Sequence, residues 1–455
     1  MVFKTKYVVY FCLFVGLFIF CVSLFFHLDV LSPEKSEYVT SDACKSCHSS
    51  HYASWKNETL HPRMFQPVQS PQDIQGDFSQ NNPVVTFNKD EIEFVIGNKW
   101  EQVYARMIDG EYYPFTAKWL ITTQQWTPYK TETWRETPMS TKCNGCHTTG
   151  FDPQTYQFSE FSIGCEACHG PGQKHVMNKN KINNPTCRFC HENMTTPIKN
   201  QPIKDIVVST KSAVCGQCHS RGSQSSDHMQ TTFNFPINYM PGETISSDFE
   251  PLTQEKDKKA KHWWGLGLSK NRHQEFADFS ESKHSKALTL MKQHHSDERG
   301  ELTDECLQCH SQDYRSAKKE DKPTLHTAQE GLTCVTCHDP HGMERRFPSV
   351  NLGAERCGQC HADSISFSAA KNGKPHYPGP PSSKTCADCH MPYIVKSGGA
   401  FPIRSHAFKI VPPEASLSYK MPNSCQNGGC HGDKPVEWAI DAFNKHYPNY
   451  DRDAN

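Results

Sequence analysis

Apolar residues are scarce for a chain of this length. Of 455 residues only 36% are hydrophobic, and the mean hydropathy is -0.69, which is poor material for an ordinary interior. Net charge is missing as well: 48 Lys and Arg stand against 49 Asp and Glu, for a formal charge of -1. That balance supplies neither a basic face for nucleic acid nor a polybasic segment for an anionic membrane. A long apolar run occurs at the start, where Tyr7 to Phe26 is uncharged and follows Lys4 and Lys6. At about 1.5 Å per residue it can cross a hydrocarbon layer of about 30 Å. No Ala-x-Ala-like site follows it, and Phe18-Ile19-Phe20-Cys21 lacks the small residues of a lipoprotein box. It reads as an uncleaved, single-pass anchor in the cytoplasmic membrane, with a cleaved signal peptide as the alternative. Everything after residue 30 is then exported, to the periplasm or the cell exterior.

Cysteine and histidine are present in excess, 22 and 25 residues respectively. Cys12 and Cys21 fall in the apolar run and read as small lipid-facing residues. The other twenty form pairs that each end in His. Nine are Cys-x-x-Cys-His: Cys44, Cys47 and His48; Cys143, Cys146 and His147; Cys165, Cys168 and His169; Cys187, Cys190 and His191; and Cys215, Cys218 and His219. The series continues with Cys306, Cys309 and His310; Cys334, Cys337 and His338; Cys357, Cys360 and His361; and Cys386, Cys389 and His390. The tenth, Cys425, Cys430 and His431, lengthens the approach between the cysteines but keeps the second Cys next to His, with Gly428 and Gly429 giving the backbone freedom to bulge.

Cys-x-x-Cys-His is the attachment sequence of c-type haem. Two sulfurs take the vinyl groups, and the adjoining His supplies the proximal nitrogen to iron. A zinc ribbon has no need of His at that position every time, and a disulfide scaffold leaves the fixed His unexplained. The tenth pair has no second pair beside it for zinc, and a Cys425–Cys430 disulfide would leave His431 without a purpose. The expectation is therefore ten covalently attached haem c groups, nine on CxxCH and one on CxxxxCH. Ten large macrocycles would also replace the missing apolar interior.

The motifs group along the chain. Residues 1–30 are the anchor, 31–142 the first haem plus a β-rich insert, and 143–219 a four-haem cluster. A connector with a helical part follows at 220–305, then a five-haem region at 306–455. In the insert, "PVVTFNKDEIEFVIG" and "VYARMIDGEYYPF" read as strands, with Asp109-Gly110 as a hairpin turn. In the connector, Lys256 to Lys259 and the following His262-Trp263-Trp264 read as a solvated loop, with a docking surface as the alternative. Glu275 to Met291 has helical character. The clusters echo each other, "GCEACHGPG" against "TCVTCHDPHG", which suggests reuse of one haem-binding unit.

Several stretches resemble the multihaem cytochrome c family that includes cytochrome c554, whose superfamily also holds octahaem hydroxylamine oxidoreductase and pentahaem nitrite reductase. They include "ACKSCHSSHYASWKNETLHPRMF", "IGNKWEQVYARMIDGEYYPFTAKWL", "CHTTGFDPQTYQFSEFSIGCEACHGPGQKHV", "HQEFADFSESKH", "GLTCVTCHDPHG", "CADCHMP" and "IRSHAFKI". The resemblance implies a mainly α fold with much irregular loop. It also implies distal iron ligands at His61, His175, His273, His284, His341 and His406, and less firmly at His326 and His376.

Fourteen histidines lie outside both the motifs and the anchor, enough for a second ligand at ten irons. Bis-His iron has no open position and passes single electrons. His446, near the C-terminus, and His294-His295 read as ordinary surface residues. The reading is a membrane-anchored decahaem cytochrome that takes electrons from redox proteins or the quinol pool. The alternative is an oxidoreductase acting on nitrite, hydroxylamine, sulfite or tetrathionate at one five-coordinate haem. Within the resemblance, neither the Lys ligand of the nitrite reductases nor the greatly lengthened motif of the sulfite reductases occurs here. A hydroxylamine-type tyrosine cross-link leaves no mark in spacing, and no catalytic residue is identified.

Overall fold

The computed structural model describes residues 37–182, 206–259, 261–293, 301–342, 354–361, 385–427 and 430–448. The chain divides into Met1–Glu37 and Tyr38–Asn455. The apolar run, the fourth motif, His294, His295 and His376 lie outside the described residues. Among those residues no helix is long and apolar enough to cross a membrane.

The larger unit begins with a β-rich region. Strands β1 (Phe65–Pro67), β2 (Phe94–Ile96), β3 (Glu101–Ile108), β4 (Glu111–Leu120) and β5 (Gln125–Pro128) form one antiparallel sheet in chain order. β3 turns into β4 through Asp109 and Gly110, both at positive φ (53° and 82°), which is the two-residue turn that matches strand twist. The sequence "PVVTFNKDEIEFVIG" gives a strand over Phe94–Ile96, whereas Lys89–Glu91 is a 3-10 turn capped by Asn88 and Glu91. Side chains alternate across the sheet. Tyr104, Phe115, Ala117 and Trp119 pack on one side with Phe87 and Ile74, while Ala105 packs with Phe65 and Met139. Phe87 stacks on Phe115 at 4.2 Å. Burying each such aromatic contributes roughly 1.5–3 kcal/mol, so the sheet has its own core.

Beyond the sheet the described residues run in short helices and loops, with three more small sheets among them. A second apolar cluster joins Trp264, Leu268, Ile394, Val395, Val411 and Met421. Trp264 is therefore core and no part of a solvated loop, although Lys256, Lys258 and Lys259 are exposed as expected. The expected helix from Glu275 to Met291 is two helices, Glu275–Glu281 and Ala287–Gln293. Between them Ser282 and Ser285 hydroxyls donate to the carbonyls of Phe279, Ser280 and Ser282, local bonds that compete with helix continuation.

Candidate haem centres

The motif spacing has a helical explanation. On a helix, residues i, i+3 and i+4 share a face, so one turn presents two thiols and an imidazole together. Cys165–His169, Ala213–His219, Leu307–His310 and Cys386–His390 are such turns. Asp388 closes one of them by accepting from the backbone N–H of Thr385 at 2.8 Å. In the lengthened tenth motif, Ser424–Asn427 is helical and places Cys425.

The helices face a shared cavity of about 3040 Å³, well above the roughly 300–1,000 Å³ of a small-molecule pocket. Its walls carry cysteines from the second, third and fifth to tenth motifs, and histidines 147, 219, 310, 338, 361, 390 and 431. The first motif lies outside this cavity, with Cys47 and His48 exposed.

Histidines from separate segments meet in pairs around these turns. Ring centres are 6.3 Å apart for His48 and His175, 6.5 Å for His147 and His273, and 5.9 Å for His169 and His341. They are 6.1 Å apart for His338 and His406, and 6.1 Å for His361 and His284. Two imidazoles on opposite sides of one metal, each bonded at about 2 Å, place their ring centres about 6.3 Å apart. Each pair joins one motif histidine to one distal candidate. His61 lines the cavity and feels the charge of His219.

Burial and hydrogen bonds prepare these rings. Burial pushes His147 and His338 down to about 4, and burial together with His219 does the same to His61. The imidazoles are thus held neutral, the form that ligates metal. His169 directs Nδ1 at Val207 O (2.7 Å) and His310 at Ala287 O (3.1 Å), which leaves Nε2 for a ligand. His219 differs: burial opposes its charge, but Glu275, 3.4 Å from Nδ1, lifts it to about 9.

The attachment cysteines also touch one another across motifs. Cys44 and Cys165 are within hydrogen-bonding reach, as are Cys146 and Cys218, Cys215 and Cys334, Cys309 and Cys360, and Cys357 and Cys386. Gln217 Nε2 donates to Ala167 O at 3.0 Å, joining the fifth motif to the third. Arg356 donates to Thr336 O at 3.0 Å between the eighth and seventh, and Ser424 to Cys389 O at 2.8 Å between the tenth and ninth. Among the described residues the motifs therefore follow the order first, third, fifth, seventh, eighth, ninth, tenth. The second branches from the fifth and the sixth from the eighth.

His326 is exposed and does not line the cavity. His446 is exposed, as the sequence suggests, and also borders the cavity, with Trp438, Ala439, Ala442 and Phe443 of the helix Val436–His446. The helical spacing of 439, 442, 443 and 446 was the available signal. His51, 4.8 Å from His341 and beside the first motif, also had no sequence signal beyond its proximity to His48.

Comparison with known proteins agrees with this geometry. The family described as cytochrome c554 and c-prime matches residues 118–170 and 270–339, and a doubled CXXCH motif matches 326–365. Over these segments the chain is similar to multihaem cytochromes c of the cytochrome c554 and c-prime family. The crystal structure of outer cell wall cytochrome OcwA is similar at 27% identity and a TM-score of 0.71, over 90% of this chain and 87% of that one. An undecahaem cytochrome from the S-layer of Carboxydothermus ferrireducens shares the fold at 19% identity and a TM-score of 0.50, over 91% of this chain and 60% of that one. No curated protein sequence matches. The paired imidazoles, the facing thiols and the common cavity fit several covalent c-type haems.

Proposed function

We propose that this multihaem cytochrome carries ten haem c groups, mostly with two histidine ligands, and conducts electrons along them outside the cytoplasm. The observation that carries the reading is the set of five histidine pairs at trans-ligand separation. In it the motif histidines are proximal, and His175, His273, His341, His406 and His284 are distal to the first, second, third, seventh and eighth. His61 serves the fifth. Bound haem iron takes up and releases one electron at a time. The chain's part is to hold neutral imidazoles in place, wall the groups from water and keep neighbouring attachment turns in contact. Among the described residues the unbranched series ends at the first site, exposed at the surface, and at the tenth, beside Trp438.

The likeness to an outer cell wall cytochrome supports a location beyond the cytoplasmic membrane. Tyr7 to Phe26 serves as the anchor, and electrons enter from a redox protein or the quinol pool. Intact-protein mass and electron paramagnetic resonance test this together. Ten haem masses and low-spin signals are expected. A mass of nine haems would remove the CxxxxCH site, and a high-spin ferric signal that binds nitrite would move the reading to an oxidoreductase.

A further inference from the structure

The fifth site is where the series divides, because its turn meets those of the second, third and seventh. A single helix, Glu275–Glu281, reaches the ligands of three of these four sites. Glu275 Oε2 lies 3.4 Å from Nδ1 of His219, the proximal histidine of the fifth. Its Oε1 accepts from the backbone N–H of His273, the second site's distal histidine, at 3.3 Å. One turn on, Asp278 accepts from the backbone N–H of His406, of the seventh, at 3.3 Å. Phe276 clamps the helix to the fifth motif: a Cβ at Gly216 would come within 2.7 Å of its ring.

We propose that Glu275 is a positioning residue that makes the fifth haem harder to reduce than its neighbours, so that the branching point sets the rate of passage. His169 and His310 give their Nδ1 protons to neutral carbonyls, whereas His219 faces a carboxylate. A carboxylate on Nδ1–H draws the proton away and enriches Nε2, which favours ferric over ferrous iron. The second, third and seventh sites exchange electrons through this one, so its potential governs traffic between the N-terminal and C-terminal arms.

The inference rests on haem at the fifth motif, and the test separates the two. Full-length holoprotein, its haem located by peptide mass, is titrated spectroelectrochemically as wild type, Glu275→Gln and Glu275→Asp. In Glu275→Gln one haem becomes about tenfold easier to reduce at fixed potential, about 59 mV for one electron, and Glu275→Asp restores most of the difference. An unchanged titration in fully loaded Glu275→Gln, or an equal shift in Glu275→Asp, would overturn the proposal and leave the haem assignment standing. Absence of haem at Cys215 and Cys218 in the wild type would overturn both. If Glu275→Gln fails to load haem, near-infrared magnetic circular dichroism of the wild type decides: a charge-transfer band displaced toward imidazolate ligation is expected for one haem, and its absence would overturn the proposal.

Discussion

The imidazoles of His169 and His341 lie 5.9 Å apart with planes 9° from parallel, although they come from distant parts of the chain. His169 is fixed by Val207 O on its Nδ1, and His341 sits behind Asp339, which accepts from its backbone N–H at 3.0 Å. The proposed iron between the two rings would account for both separation and alignment. Replacing His341 by Gly removes the distal nitrogen without adding bulk. One haem should convert from low-spin to high-spin and bind added imidazole, with the total haem mass unchanged. A His341→Gly protein that stays wholly low-spin would show that this pair does not share a metal.

The order of the attachment turns makes a contrast between two deletions. Cys215 touches Cys334, and Cys218 touches Cys146, so the fifth site joins both arms. The sixth meets the eighth, through Cys309 and Cys360 and through Arg315 to Gln359 at 2.8 Å, and reaches the seventh through Gln312, which accepts from Thr336 at 2.6 Å, so it lies beside the series and does not interrupt it. Removing the fifth haem by Cys215→Ser with Cys218→Ser should split internal electron redistribution after a small pulse of reductant into two unconnected phases. Removing the sixth by Cys306→Ser with Cys309→Ser should leave redistribution otherwise unchanged. Time-resolved absorbance after pulse radiolysis distinguishes them, and equal effects from both deletions would refute the order.

Much of the site was legible because covalent chemistry fixes its spacing. Two sulfurs and a nitrogen must meet one macrocycle, so Cys165, Cys168 and His169 cannot drift apart in sequence. The hairpin at Asp109 and Gly110 was legible for a similar local reason, since only certain residues tolerate positive φ. Which histidine faces which was not, because His147 meets His273 through tertiary packing alone. The buried place of Trp264 was not legible either, because a nearby run of lysines suggests solvent. Glu275 carried no signal at all: a carboxylate in "HQEFADF" resembles any exposed helix residue until three ligand segments close around it.

The first and third sites are held together by a buried carboxylate. Glu166, 1% exposed, accepts from the backbone N–H groups of Val39 (3.0 Å), Thr40 (2.8 Å) and Gly172 (2.7 Å). Truncation leaves these donors without an acceptor, at about 1–3 kcal/mol for each buried group. Glu166→Ala should therefore free residues 38–42 from the turn Cys165–His169, with amide exchange there faster by at least tenfold. Glu166→Gln, which keeps one acceptor, should show a smaller effect. Exchange confined to its wild-type rate in Glu166→Ala would mean that the strap is held by other contacts.

Glu101 supplies a pH-dependent counterpart on the far side of the second site. It lies on β3, 6% exposed, with Lys118 Nζ at 2.8 Å and the Arg272 guanidinium against its other oxygen. Arg272 precedes His273, so this pair ties the sheet to the residue proposed as the second site's distal ligand. Burial alone would raise the Glu101 carboxyl, but Arg272 and Lys118 outweigh it and hold it below its ordinary value. A carboxyl depressed in the folded state adds stability above its unfolded pKa and loses it as pH falls through the folded one. Glu101→Gln should thus destabilise the protein at pH 7, by about 3 kcal/mol for one partner of a buried pair. The difference from wild type should shrink as the solution is taken from about pH 5 into strong acid, where Glu101 is protonated in both states. Denaturant titration across that range, followed by tryptophan fluorescence of the sheet, reads it directly. A penalty that stays constant from neutral to acid pH would assign the loss to packing and not to charge.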